Sequence, residues 1–380
     1  MKTLVFVIES LNLGGAEKSL ISLLQNLDYS KYNVDLIYFK NDGFFKNEVP
    51  DEVNQIVLPF PKLSKWDRLK YAFKRKTNKN YHHAQLLWPL VGSYLKVYDK
   101  KYDIAVAYNQ GFATYFTNNC IQAKYKYAWI NTDYRKAGYR IEFDLKFYRH
   151  FDKIICVSAH SENSFLTACA EVGFKPPSMI IKDIIDTGFV RQRANAELKH
   201  EFDTQQLNIV SVGRLSSVKG FELSVAACEI LVGKGHPINW FVVGEGSMRS
   251  ELERLIRDKN LQTHFFLLGA DPNPYPYIKH CDIFVQTSLF EGLGLTVIEA
   301  ALLCKPIVST NFPTVYGIIE DEKTGLIAEM NAVDIAGKIE RIIRDVELKK
   351  RLIENLSRRE NNDKTESLEK INSLFNTPSH

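Results

Sequence analysis

No stretch of the 380-residue chain approaches the ~18 consecutive apolar residues of a membrane-spanning helix. No internal repeat or low-complexity tract interrupts it. The six cysteines, at 120, 156, 169, 228, 281 and 304, form no Cys-x-x-Cys pair and no Cys/His cluster with zinc spacing. They read as small buried residues of a reduced compartment, so a cytoplasmic protein is expected. No Gly-x-Gly-x-x-Gly follows a strand, which leaves an NAD-dependent oxidoreductase without support, and there is no Walker loop. The charge balance, 49 Lys and Arg against 45 Asp and Glu, leaves a net +4, too slight an excess to imply a nucleic-acid partner. The opening run Met1–Glu9 is short, ends at an acid and lacks a small-residue cleavage site. A buried strand suits it better than a signal peptide.

What is present is a globular composition, 45% hydrophobic and 25% charged. The length asks for two domains of roughly 150–200 residues each. Short β-rich runs alternate with helical patterns, the sign of parallel sheets wrapped by helices. Strands are expected at Leu4–Ile8, Val34–Phe39, Ile56–Leu58, Ile104–Tyr108, Tyr127–Ile130 and Ile154–Val157. The pattern restarts at Asn208–Gly213 and continues through Trp240–Val243, Phe265–Leu268, Ile283–Val285 and Ile307–Val308. Pro176-Pro177 and the polar stretch Arg191–Gln206 lie between the halves, with the boundary around 185–206. The fold class is therefore α/β, two Rossmann-like doubly wound domains covering 1–190 and 191–360. Residues 361–380 hold a last helix, Leu368–Phe375, that can cross back to the first domain. Doubly wound domains bind ligands beyond the carboxyl ends of their strands.

Three motifs sit at such ends. Gly14-Gly15-Ala16-Glu17 follows the first strand and opens a helix, where paired glycines and helix N–H groups suit a phosphate; a tight strand-to-helix turn suits the residues equally. In Val212–Gly220, Arg214 and Lys219 lie five apart across a turn and can converge on one anion, or can be two solvated cations. In Phe290–Ala300, Glu291 lies in a glycine-containing loop and Glu299 eight positions on, in the following helix. Their carboxylates suit the hydroxyls of a sugar and of a ribose diol, and N–H groups around Gly292 and Gly294 suit phosphate. The plainer reading is a helix-start acid plus a surface acid.

Together with Val243-Gly244-Glu245-Gly246 and Asn273–Ile278, these residues resemble the family-four retaining glycosyltransferases of GT-B fold, most strongly over 208–330. The resemblance implies that Arg214 and Lys219 bind the donor diphosphate as leaving group. It implies that Glu291 holds the donor sugar and Glu299 the nucleotide ribose. Gly14, Gly15, Gly213, Gly244, Gly292, Gly294 and Leu295 would belong to the donor-binding site, with Gly15, Gly294 and Leu295 at the donor phosphates. It also implies an acceptor-side first domain, a donor-binding second domain and no cofactor or metal, the cations replacing the metal. The expected partners are a nucleotide sugar, first a UDP-sugar, and a glycan or lipid-linked acceptor of surface-polysaccharide synthesis. The chain departs from the family at Asn131, where His is usual; Asn hydrogen-bonds but cannot shuttle a proton. Asp133 is a candidate acceptor-side base or a solvated loop acid, and His160 a helix-start residue.

From Lys62 to Lys79, eight Lys or Arg residues meet one acid, Asp67. Leu63, Trp66, Leu69 and Phe73 fall on one helical face. Lys65, Trp66, Arg68, Lys74, Arg75 and Lys76 thus form a candidate surface for an anionic membrane, on the inner face of the plasma membrane, or for an acidic acceptor. An ordinary core-facing helix is the alternative. Two other functions share the architecture: a sugar-nucleotide epimerase, and a non-catalytic nucleotide-sugar-binding subunit.

Overall fold

The computed structural model describes residues 1–41, 43–60, 62–78, 81–359 and 363–376. The chain divides into two compact units, Met1–Ile184 with Asn362–His380, and Ile185–Asn361. In the first, the order is β1 (Lys2–Val7), α1 (Gly15–Leu24), β2 (Tyr32–Tyr38), β3 (Val53–Val57), α2 (Lys65–Thr77) and α3 (His83–Val91). There follow β4 (Lys101–Ala107), α4 (Phe112–Cys120), β5 (Gln122–Ile130), α5 (Ile141–Tyr148), β6 (Lys153–Cys156), α6 (Ala159–Glu171) and β7 (Ser178–Ile180).

The second unit runs α7 (Thr187–Arg193), β8 (Leu207–Val212), α8 (Phe221–Gly233), β9 (Ile238–Val243), α9 (Arg249–Asp258) and β10 (Phe265–Gly269). It continues with α10 (Tyr275–His280), β11 (Ile283–Gln286), α11 (Leu295–Leu302), β12 (Ile307–Thr310), β13 (Leu326–Ala328), α12 (Ala332–Arg344) and α13 (Val346–Ser357). The last helix, α14 (Asp363–Phe375), belongs to the first unit.

The first sheet has the order β3-β2-β1-β4-β5-β6-β7 and the second β10-β9-β8-β11-β12-β13. Every pairing between these strands is parallel. Central strands are apolar on both faces because helices cover both. In the second unit, Ile209, Trp240 and Val242 pack with Phe221, Val225, Ile335 and Ile339 of α8 and α12. The alternate residues Val210, Phe241 and Val243 pack with Tyr275, Ile278, Val297 and Ala300 of α10 and α11. This is the two-residue period of a pleated strand. In the first unit, Val5 and Val7 pack with Trp88, Phe112 and Phe116, whereas Phe6 between them meets Phe375 of α14.

Phe375 is fully buried, against the rings of Phe6, Tyr32 and Tyr127. Burial of such a ring contributes about 2–3 kcal/mol. The helix end is closed electrostatically as well: Lys2 Nζ donates to the Phe375 carbonyl at 2.8 Å and the Tyr127 hydroxyl to the Leu374 carbonyl at 3.3 Å. A cation at a helix C-terminus is favourable.

Two details differ from the sequence reading. Pro176-Pro177 leads directly into β7, which pairs with β6, so it lies inside the first unit. The stretch read as a connection begins with α7, whose N-terminus is capped by the Asp186 side chain accepting from Phe189 N–H at 2.9 Å.

The basic segment forms α2, with Ser64 as N-cap accepting from Asp67 N–H and Lys74, Arg75 and Lys76 in the last turn. Cap and charges both favour the helix. No residue of α2 is buried. Leu63 does not share its apolar face: it precedes the cap and packs on the core of the unit, because the chain turns inward there. Lys79 lies outside the described residues.

Candidate functional site

In the second sheet the order reverses between β8 and β11, with β9 and β10 to one side and β12 and β13 to the other. Loops beyond such a switch point are where doubly wound sheets bind ligands. The turn after β8 carries Arg214 and Lys219; the loop after β11 carries Glu291.

Glycines make the turn possible. Gly220 has φ +60, and a Cβ there would sit 2.4 Å from the Thr287 carbonyl oxygen, so the turn is pressed against the end of β11. The Thr287 hydroxyl donates to the Lys219 carbonyl at 3.0 Å and ties the two loops. The Lys219 stem runs over Gly213, where a Cβ would lie 3.4 Å from Cδ and Cε. At Gly244, after β9, a Cβ would lie 1.9 Å from the Gly213 carbonyl oxygen, which leaves room for hydrogen only.

Lys219 Nζ reaches Glu291 Oε1 at 2.5 Å. The same oxygen accepts from the Ser288 hydroxyl at 2.6 Å and the Gln286 side-chain amide at 3.3 Å. The two charged side chains are only 19% and 13% exposed, so the pair is partly desolvated and rigidly held. Neither Ser288 nor Gln286 stands out in the sequence; the run Gln286-Thr287-Ser288 at the end of an apolar strand is the available signal.

Arg214 is exposed, and its guanidinium joins no ion pair among the described residues. Gly292 is half-buried. Gly294 caps α11 at φ +84, and a Cβ there would meet Ile318 Cδ1 at 2.7 Å. Leu295 is the first residue of α11. Glu299, in the same helix, is buried and accepts from the Tyr275 hydroxyl at 3.3 Å. The fold thus joins Lys219 to Glu291 directly, while Glu299 lies on the buried side of its helix and Arg214 in the outer turn.

In the first sheet the order reverses between β1 and β4. Gly14 is the extended N-cap of α1 and Gly15 its first residue. Further along α1, the Ser19 hydroxyl donates to Asp183 Oδ1 at 2.5 Å and lies 2.8 Å from the Tyr108 hydroxyl. Burial raises the Asp183 carboxyl to about 6.

Asn131 follows β5. Its Nδ2 donates to the Tyr108 carbonyl at 2.5 Å and its N–H to Gln110 Oε1 at 3.1 Å. Asn109 Oδ1, Gln110 Nε2 and Asn131 Oδ1 are buried without a hydrogen bond to any described residue. Polar atoms so placed call for water or a ligand. Asn109 and Gln110 do not stand out in the sequence; the cue there is Tyr108-Asn109-Gln110-Gly111 closing a central strand, and the structure places Gly111 at φ +83.

Asp133 is neither a solvated acid nor a ready base. It is buried and accepts from Ser164 Oγ at 2.6 Å, Lys136 N–H at 3.1 Å and Arg135 N–H at 3.2 Å, with His160 Nε2 at 2.9 Å. Burial alone would raise its carboxyl, but Ser164, the Lys136 N–H and His160 outweigh it and hold it below the usual range. Its work is to fix the turn after β5. His160 is the second residue of α6, whose start carries a capping box of Ser158 and Ser161.

Among the described residues, no group of three or more His, Cys, Asp or Glu is placed to hold a metal ion. No described helix is long and apolar enough to cross a membrane.

Residues 192–359 match the family model of glycosyl transferases group 1. A poly(ribitol-phosphate) alpha-N-acetylglucosaminyltransferase of Staphylococcus aureus is 34% identical over 149 residues, 38% of this chain and 29% of that protein. An N-acetylgalactosamine-N,N'-diacetylbacillosaminyl-diphospho-undecaprenol 4-alpha-N-acetylgalactosaminyltransferase of Campylobacter jejuni is 32% identical over 155 residues, 40% of each chain. The chain therefore spans less than half the length of these two relatives. A crystal structure of Anabaena Alr3699/HepE in complex with UDP-glucose superposes with a TM-score of 0.72 at 18% identity, covering 98% of this chain and 100% of that one. The fold is GT-B, two doubly wound α/β units; the sequence pattern leads to the two units and the family resemblance to GT-B.

Proposed function

We propose that the chain, whose residues 192–359 match the family model of glycosyl transferases group 1, transfers a sugar from a nucleoside diphosphate sugar, first a UDP-sugar, to a glycan or lipid-linked acceptor with retention of configuration. The observation that carries the reading is the Lys219–Glu291 pair held across the switch point of the second sheet. On this reading the second unit holds the donor and the first the acceptor. Lys219 neutralises the departing diphosphate and Arg214 closes on it from the outer turn. Each such donor supplies about 3 kcal/mol in a dry site. Glu291 turns from Lys219 to the hydroxyls of the donor sugar, kept in place by Ser288 and Gln286. Glu299 serves the ribose, and N–H groups of Gly294 and Leu295 the phosphates.

No divalent ion is required on this reading, since the cations of the turn carry the charge. The leaving phosphate then takes the acceptor proton on the face from which it departs. The buried amides of Asn109, Gln110 and Asn131 support a polar subsite for sugar hydroxyls in the first unit. Surface-polysaccharide synthesis from the cytoplasmic side is the expected setting. The names of the relatives from S. aureus and C. jejuni support it, as do six free cysteines.

The test is calorimetric titration of UDP, GDP and ADP and their sugar conjugates into the protein with EDTA present. One nucleotide series should bind in the micromolar range and lose that binding in Arg214→Ala. Binding only after a divalent ion is restored, or binding indifferent to Arg214 and Lys219, would overturn the assignment.

A further inference from the structure

The helix α2 presents an apolar stripe to solvent. Trp66, Leu69 and Phe73 are 75%, 63% and 68% exposed. At about 100° per residue they fall within an arc of roughly 60°. Lys65 and Lys76 flank the arc on one side and Lys70 on the other. The partly covered residues, Asp67, Tyr71 and Lys74, lie on another side of the helix, and α2 meets α3. The core-facing alternative is thereby removed: the apolar face is turned away from its own unit.

We propose that α2 docks on an anionic lipid bilayer, with Trp66, Leu69 and Phe73 inserted among the acyl chains and the flanking lysines at the headgroups. The charge of the segment specifies the occupant. Between residues 62 and 78 seven Lys or Arg side chains stand against Asp67 alone, and the Asp67 carboxylate is engaged by the Ser64 hydroxyl at 2.6 Å. A second copy of this chain would bring the same excess of positive charge to the same face. An acidic glycan would pair with the cations but leave the Trp-Leu-Phe stripe in water. A surface of anionic headgroups over hydrocarbon matches both features. Long lysine stems beside the stripe can lie along the apolar region while their ammonium groups stay at the phosphates. The helix, 13 residues long, would lie flat over about 20 Å of that surface.

The molecule carries its own reporter. Of its four tryptophans, Trp88, Trp129 and Trp240 are buried and Trp66 is not. The experiment mixes the full chain with vesicles of phosphatidylcholine alone, and of equal parts phosphatidylcholine and phosphatidylglycerol. It follows flotation and tryptophan emission, and no transfer reaction enters the readout. The mixed vesicles should bind the protein, shift its emission to shorter wavelength, and quench it when their acyl chains are brominated. Trp66→Phe should keep binding and lose shift and quenching. Leu69→Ser with Phe73→Ser, and Lys65→Gln with Lys70→Gln and Lys76→Gln, should each lower the partition about tenfold or more. None of these side chains is buried, so unchanged thermal unfolding of the variants is expected alongside. Failure to bind the mixed vesicles overturns the proposal. So does binding without a Trp66 shift, which is contact through charge alone. A lipid-free dimer that dissociates in the Leu69→Ser, Phe73→Ser variant assigns the face to a second copy instead.

Discussion

Lys219 Nζ and Glu291 Oε1 lie 2.5 Å apart, 72 residues distant in sequence, on the loops that follow two adjacent strands where the sheet order reverses. The contact is more than a surface ion pair, which would contribute little. Both side chains are mostly covered, and Glu291 has two further donors in Ser288 and Gln286. A cation and an acid held ready in one place can part when a diphosphate takes the cation and a sugar hydroxyl takes the acid.

The first prediction follows from that competition. Glu291→Gln removes the internal partner of Lys219 but keeps a hydrogen-bonding side chain. Binding of UDP itself should strengthen a few-fold, while transfer falls by about 100-fold or more, the scale of one lost transition-state contact. Lys219→Ala should weaken UDP by at least about tenfold, one lost charge-assisted bond. Calorimetry and a donor-turnover assay read the two separately. Weaker UDP binding in Glu291→Gln would mean that the carboxylate does not compete with the phosphate.

The two glycines beside this pair should separate stability from binding. A methyl at Gly244 meets backbone 1.9 Å away and has nowhere to go. Gly244→Ala should cost about 2–4 kcal/mol, the range of a severe overpacking. At Gly213 the nearest atoms, 3.4 Å away, belong to the flexible Lys219 stem. Gly213→Ala should unfold near the wild-type temperature but bind UDP more weakly, because Lys219 is displaced. Equal melting temperatures for the two variants would contradict this account.

The sequence displays the central strands plainly, because burial on both faces turns them into unbroken apolar runs such as Leu4–Ile8 and Ile104–Tyr108. It hid β7 and β13, which are three residues each at the sheet edges, too short for a period to show. It located Lys219 and Glu291 at strand ends but not their contact, since strand order is not written in local pattern. Asn109 and Gln110 resemble any polar loop; they are drawn inward because β4 sits between β1 and β5. The exposed face of α2 was visible as a pattern, yet only the packing told which way it points.

Cys304 offers a test of backbone strain away from the site. It follows α11 at φ 52, and it and Lys305 donate to the carbonyls of Ala301 and Ala300, the geometry of a Schellman cap. A side chain in that left-handed conformation costs about 1–2 kcal/mol. Glycine removes the strain but gains freedom in the unfolded chain. Cys304→Gly should raise stability by about 0.5–1 kcal/mol in urea unfolding of the chain. A loss of stability would show that the packing of the thiol outweighs the strain.

The last prediction concerns pH. The Asp183 carboxyl is buried, receives the Ser19 hydroxyl, and is raised by burial to about 6 from an ordinary 3.8. Between those values the folded chain holds a proton at this group that the unfolded chain has released. Stability from this group therefore falls as pH rises through that window, and the full cost of the buried charge stands above about pH 6. The shift corresponds to at most about 3 kcal/mol. Asp183→Asn keeps an acceptor for Ser19 and never ionises. It should be more stable than the wild type at pH 7.5 and close to it at pH 4. Urea unfolding of both proteins across that range measures the difference. A gap that stays constant from acid to neutral pH would mean that Asp183 does not change its ionisation there, and that its cost or benefit lies in packing and hydrogen bonding alone.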